Sequence, residues 1–286
     1  MKNYINCIAH NSSEGNLLIG EKFTALFDCG MAFCADETIA NVRDALGKRK
    51  LDYIFLTHTH YDHLGALPFF RKEWPELQAV TSAIGAEVLL RETPRRVIRE
   101  MSETAAKMYG RDIDLDYDDD VFHADLIVKE GDEIDLGGLT LRIIETPGHT
   151  RDSLSFLVLE TGLFILSETS GVLLPELGMH PCFLSSYKDC LLSIEKCSKI
   201  DHKMLSLPHR GAAPNEETAG FFDRAMEAAK SYCDFIIGMR EKEFTEEEML
   251  DSFTRHYFNP ALEKYQPKAA FMLNARAMIN CVLKKS

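Results

Sequence analysis

Two hydrophobic rhythms run along the chain. In the first two hundred residues, short apolar runs at 4–9, 16–19, 22–27 and 51–56 are bounded by turn chemistry such as Ser12-Ser13-Glu14-Gly15, and they predict strands. Helical spacing over 36–46, with Gly47 as its stop, predicts a helix. Short αβ units follow at 74–81 and 83–91, then a helix over 95–109 that runs into an acidic loop. Strands are expected near 125–128, 139–145, 153–159 and 163–167, with Gly137-Gly138 and Thr161-Gly162 at hairpins. A helix over 187–199 and a last strand over 203–207 complete this α/β body. From Pro214 the spacing changes. Phe222, Ala225, Met226, Ala229, Tyr232, Cys233 and Ile236 recur at helical intervals, as do Phe271, Ala275, Met278, Ile279 and Val282. The pattern predicts an α/β domain over 1–213 and an all-helical extension over 214–286. That extension is expected to pack on the body, to form a homodimer interface or to wall the substrate pocket.

Composition narrows the class. The 286 residues are 45% apolar and 27% charged, which is ordinary for a folded chain and excludes disordered and collagenous ones. A net charge of −13 repels a phosphate backbone, so nucleic acid is not an expected partner. The opening Met1-Lys2-Asn3-Tyr4-Ile5-Asn6-Cys7 has no secretory pattern, and no apolar stretch is long enough for a membrane span. The eight cysteines form no CxxC pair, which together with the missing export signal predicts reduced, mostly buried thiols and a cytoplasmic address.

Chemistry concentrates in Thr57-His58-Thr59-His60-Tyr61-Asp62-His63-Leu64-Gly65, directly after the apolar Ile54-Phe55-Leu56. Alternation sends His58 and His60 to the same side of an extended stretch, while Asp62 and His63 reach a second position across the turn. Imidazole nitrogen and carboxylate oxygen suit Zn, Mn or Fe. Three further strands end in metal-competent side chains: His149 in Thr146-Pro147-Gly148-His149-Thr150, Glu168 after Phe164-Ile165-Leu166-Ser167, and His209 in Leu207-Pro208-His209-Arg210-Gly211. Strand ends in an α/β fold converge on one face, where sites are built. The acidic run from Asp112 to Asp120 fails the EF-hand template, because Tyr117 stands at the sharp-turn glycine and His123 at the bidentate glutamate.

These residues resemble the metallo-β-lactamase superfamily over roughly 1–211. The resemblance rests on His58-x-His60-x-Asp62-His63, the Pro147-Gly148-His149-Thr150 turn, Glu168 and His209, with Phe27-Asp28-Cys29-Gly30 similar to an early strand-end Asp-x-Gly of the family. It implies an αββα four-layer sandwich carrying two divalent metal ions, zinc first and iron or manganese as alternatives. By position, His58, His60 and His149 would hold one ion; Asp62, His63 and His209 would hold the other. Asp28 would support the ligand loop from outside, and Asp62 would act catalytically by orienting the attacking hydroxide and moving its proton. The family usually places Asp where this chain has Glu168. The strand end then retracts, the carboxylate bridges differently, or the second ion binds weakly; all three stay open.

The turn around His149 is similar to the hydroxyacyl-glutathione hydrolase and lactonase branches. The function so implied is metal-dependent hydrolysis of a small acyl ester, thioester or lactone. Alternatives are a phosphodiesterase on a small phosphodiester, an iron-dependent sulfur-dioxygenase-like oxidoreductase, and a regulatory protein with a degraded site. The excursion over 94–123 interrupts the α/β rhythm and is expected to be either a lid carrying Tyr109 or His123, or a plain surface excursion. His180 is expected either to contact substrate or to belong to a structural loop.

Overall fold

A computed structural model describes residues 3–283; the outermost residues of the two expected regions, 1–2 and 284–286, lie outside the described residues. The strands are β1 (Tyr4–Asn6), β2 (Asn16–Ile19), β3 (Thr24–Phe27), β4 (Tyr53–Phe55), β5 (Gln78–Ser82), β6 (Leu126–Val128), β7 (Glu133–Asp135), β8 (Thr140–Glu145), β9 (Leu154–Val158), β10 (Leu163–Ile165), β11 (Val172–Leu174), β12 (Gly178–His180), β13 (Met204–Leu207) and β14 (Gly211–Ala212). The helices are α1 (Ala35–Leu46), α2 (Tyr61–Leu64), α3 (Leu67–Glu73), α4 (Ala83–Leu89), α5 (Glu92–Met108), α6 (Tyr187–Ser198), α7 (Asn215–Thr218), α8 (Phe221–Glu241), α9 (Glu246–Tyr257) and α10 (Lys268–Leu283). No helix among the described residues is long and apolar enough to cross a membrane. No disulfide joins the eight cysteines, seven of which are buried.

Two compact units share the chain. The first takes the residues up to Glu145 together with Asp152–Ile165 and His202–Ala213; the second takes Thr146–Arg151, Leu166–Asp201 and the chain from Pro214.

The first unit holds two six-stranded sheets, ordered β1-β2-β3-β4-β5-β6 and β14-β13-β10-β9-β8-β7. In the first sheet β3, β4, β5 and β6 run parallel, and in the second β10 pairs parallel with β13. Side chains alternate faces along a strand, so neighbouring residues serve different cores. Leu26, Ile54 and Ala79 point towards the helices, where they meet Ile39 and Val42 of α1, Phe70 of α3 and Ile98 of α5. Phe27, Phe55 and Val80 point the other way, against Ile143, Phe156 and Ile165 of the second sheet. Phe156 seals this inter-sheet layer, with ring centres 5.1 Å from Phe27 and 5.6 Å from Phe55.

The second unit contains the β11–β12 hairpin, α6 and the helical region α7–α10. The stripe expected on α8 is buried at Phe222, Ala225, Ala229, Tyr232, Cys233 and Ile236, while Met226 is half-buried. Tyr232 packs on Tyr257 of α9 with ring centres 3.9 Å apart, and Phe253 of α9 meets Phe271 of α10. A reciprocal cap between Thr245 and Glu248 starts α9, satisfying backbone N–H groups that its first turn would leave open.

Several local expectations need correction. Asp62 and His63 do not lie across a simple turn after the strand; they ride the single helical turn of α2. The first strand is shorter than its apolar run, since β1 pairs with β2 only from Tyr4 to Asn6. Leu207 does not end the second sheet; β14 pairs with β13 after it. His180 belongs to β12 rather than to a loop, in a hairpin whose three-residue strands are too short to show an alternation.

Phe156→Ala is expected to cost about 3–5 kcal/mol by opening a cavity between the sheets. Leu192→Ala, on an exposed position of α6, is expected to stay within about 0.5 kcal/mol. Urea titration of both variants checks the pair.

Candidate metal centre

In the first unit the site begins at two adjacent strand ends. β3 and β4 are parallel neighbours, so Asp28 and Thr57 emerge side by side. Asp28 is buried and takes a left-handed backbone, φ 54°. Its carboxylate accepts three hydrogen bonds: Oδ1 from the Thr57 backbone N–H at 2.7 Å, and Oδ2 from Thr57 Oγ1 at 2.7 Å and His63 Nδ1 at 2.8 Å. A carboxylate cannot donate, so the His63 proton sits on Nδ1 and Nε2 presents a lone pair.

The other imidazoles of the loop lie close to His63 and to one another. His58 Nε2 lies 3.0 Å from His60 Nδ1, and the His58 and His63 ring centres are 4.0 Å apart. Asp62, His63 and His209 each offer a ligand atom, and the three atoms lie within 4.8 Å of one another. Two imidazoles and a carboxylate at that spacing are a donor set that fits a divalent transition metal.

His209 arrives after β13 with φ 60°, the second strained backbone at this site. Such conformations cost of order 1–3 kcal/mol and persist where surrounding contacts enforce them. Here the enforcing contact is Glu14, whose Oε1 accepts a hydrogen bond from the His209 N–H. Burial pushes the Glu14 carboxyl up to about 7, although His209 and His63 pull it down. Glu14 was not legible as a site residue, because it stands in a Ser-Ser-Glu-Gly turn whose polar composition already explains it.

The second unit carries the other two expected ligands. His149 Nε2 lies 2.7 Å from Glu168 Oε2, and His149 Nδ1 donates to the Cys182 carbonyl at 2.9 Å. Burial alone would depress the His149 imidazole, but the Glu168 carboxylate and then Cys182 hold it well above its ordinary value. The His149 backbone N–H donates to Thr169 Oγ1 at 3.1 Å. Gly148 is required in this turn: its φ is +144°, and a Cβ would meet the Cys190 backbone at 2.5 Å.

Other residues raised by the sequence fall elsewhere. The acidic segment is tied to its own helix, with Arg99 of α5 donating to the Leu115 and Tyr117 carbonyls at 2.6 and 2.8 Å and lying over the Tyr117 ring. Tyr109 packs against His10 and Phe33, and His123 pairs with Asp125. His180 Nδ1 meets Tyr232 Oη at 3.3 Å within the second unit.

Asp28→Asn puts an amide donor where Thr57 and His63 need acceptors. Metal affinity is expected to fall by about 10–100-fold, the usual cost of losing a partner behind a ligand. Competition with a chromophoric chelator measures it, and unchanged affinity would remove Asp28 from the site.

Comparison with known proteins adds the family. The model of the metallo-beta-lactamase superfamily matches residues 16–209. The metallo-beta-lactamase fold-containing protein ST1585 of Sulfurisphaera tokodaii is 30% identical over 204 residues, covering 68% of this chain and 71% of that protein. Its crystal structure, described as an archaeal superfamily protein from Sulfolobus tokodaii, superposes with a TM-score of 0.63 at 22% identity over 94% of this chain and 93% of that one, which shows the shared fold. Hydroxyacylglutathione hydrolase 1 of Vibrio vulnificus is 26% identical over 224 residues, covering 76% of this chain and 71% of that protein. A coenzyme F420H2 oxidase of Methanothermobacter marburgensis is 30% identical over 159 residues, 54% of this chain, which spans only 33% of that oxidase. The matched region contains His58, His60, His63, His149 and His209, and the chain belongs to the metallo-beta-lactamase superfamily.

Proposed function

We propose that the protein is a metal-dependent hydrolase of a small acyl ester, thioester or lactone. Its proposed ligands are His58, His60, Asp62, His63, His149, Glu168 and His209, with two divalent ions, zinc first and iron or manganese as alternatives. The observation that carries the reading is the Asp62, His63 and His209 donor set, with the His63 tautomer fixed by buried Asp28. The hydrolase relative supports the acyl-transfer class. Bound divalent metal supplies a nucleophile at neutral pH and polarises the attacked oxygen. The chain's own part is positional: Asp28 and Thr57 hold the ligand loop, and Glu14 holds the His209 turn. Asp62, partly open to solvent, orients the nucleophile and carries a proton to the leaving group through its carboxylate.

The likeness to the F420H2 oxidase favours a second reading, an oxidoreductase, with iron as the metal the sequence reading names for that class. One experiment separates the two. Protein reconstituted with Zn, Mn or Fe is assayed on acyl-thioesters, lactones and p-nitrophenyl phosphodiesters, with oxygen consumption followed in parallel. The proposal expects chelator-sensitive cleavage of an acyl substrate without oxygen uptake. Faster phosphodiester turnover, iron-dependent oxygen uptake, or no turnover with any metal would overturn it. His58→Ala is expected to lower turnover by at least about 100-fold, together with metal content.

Protons compete with metal for imidazole nitrogen, and an ordinary histidine titrates near 6.5. Acidification therefore favours the unliganded form, and turnover is expected to decline below about pH 6. A profile flat to about pH 5 would oppose histidine ligation.

A further inference from the structure

Within the second unit, the turn that carries His149 is clasped by the stretch following β12. The Gly148 carbonyl accepts from the Ser185 N–H at 3.1 Å, the Ser186 N–H at 3.1 Å and Ser185 Oγ at 3.0 Å. The Pro147 carbonyl accepts from Ser193 Oγ at 2.7 Å. The Cys182 carbonyl takes the His149 Nδ1 proton. One acceptor thus holds the Nδ1 side of the ring, and its position sets where Nε2 points.

The position of that acceptor is set in turn by the C-terminal helices. Residues 181–186 lie between β12 and α6, outside any strand or helix. Three side chains of α8 and α10 reach alternate positions of this stretch and of the strand end before it. Tyr232 Oη on α8 meets His180 Nδ1 at 3.3 Å. Asn274 Nδ2 on α10 donates to Cys182 Sγ at 3.8 Å, and Cys281 Sγ on α10 donates to the Leu184 carbonyl at 3.1 Å. Tyr232 is held in place by a tilted ring contact with Tyr257 and by an edge contact with Phe253. Burial raises the Tyr232 phenol far above its ordinary value and lowers the His180 imidazole, so the pair is neutral in the folded protein and works as a fixed hydrogen bond.

We propose that Tyr232 and Asn274 are positioning residues for the ligand His149, acting through His180 and Cys182, so that the C-terminal helices form part of the metal-binding apparatus. The inference rests on the reading of His149 as a metal ligand. It differs from pocket wall or dimer interface in what it makes the helices do: they set the direction of an imidazole lone pair.

The test uses the full chain as wild type, Tyr232→Phe, Asn274→Ala, the double variant, and Arg276→Ala, which breaks only an exposed ion pair with Glu247 on another face of α10. Each is titrated with zinc against a chromophoric chelator and with cobalt, whose visible absorption reports ligand geometry. Thermal midpoints are recorded alongside. The double variant is expected to bind zinc about tenfold more weakly, the lower end of the range for partners behind a ligand, and to show a shifted cobalt band. Tyr232→Phe, which loses a single oxygen, is expected to show part of both changes, and Arg276→Ala neither. A lowered midpoint with wild-type zinc affinity and cobalt spectrum in Tyr232→Phe and Asn274→Ala would show a merely structural role and overturn the inference. Wild-type protein that takes up neither metal would instead overturn the metal reading on which it rests.

Discussion

A buried carboxylate at the end of β3 is the constraint on which the first unit's site depends. Asp28 has no solvent to stabilise its charge, and burial of a bare carboxylate would be prohibitive. It persists because three donors converge on it, two from Thr57 and one from His63. The cost of the charge and the orientation of the ligand loop are therefore one balance. Each donor that stabilises Asp28 is fixed by it, and His63 hands the same geometry to His58, with which its ring is in contact.

The backbone takes part in that balance. Asp28 and His209 are both left-handed and both end strands of the first unit. Asp28 is enforced by its own side-chain contacts, and His209 by Glu14. A loop free to relax would leave such conformations. Their retention at two strand ends means that surrounding hydrogen bonds outweigh the local strain.

Much of this was legible in the residue pattern, for identifiable reasons. The cluster from His58 to His63 is local, so its density alone pointed to chemistry, and the apolar β4 before it placed it at a strand end. The stripe on α8 was readable because helical periodicity needs no knowledge of what covers it. What escaped depends on distant partners. Glu14 meets His209 across 195 residues of sequence. The link from Tyr232 to His180 spans 52, and nothing in the spacing around either residue hints at it. The contacts also group Thr146–Arg151 and Leu166–Asp201 with the C-terminal helices, an association that no local spacing announces.

That interleaving bears on how the chain is assembled. β10 finds its parallel neighbour β13 only after Leu166–Asp201 has been made, and the Tyr4 hydroxyl bonds Ser206 near the far end of the matched region. The first sheet can form while the chain is still emerging from the ribosome, yet the second lacks β13 and β14 until residue 212 is out. Its growing face must wait, apolar and unpaired, through the synthesis of an entire excursion. Such long-range closure slows folding and leaves the edge of β10 open to wrong partners while it waits.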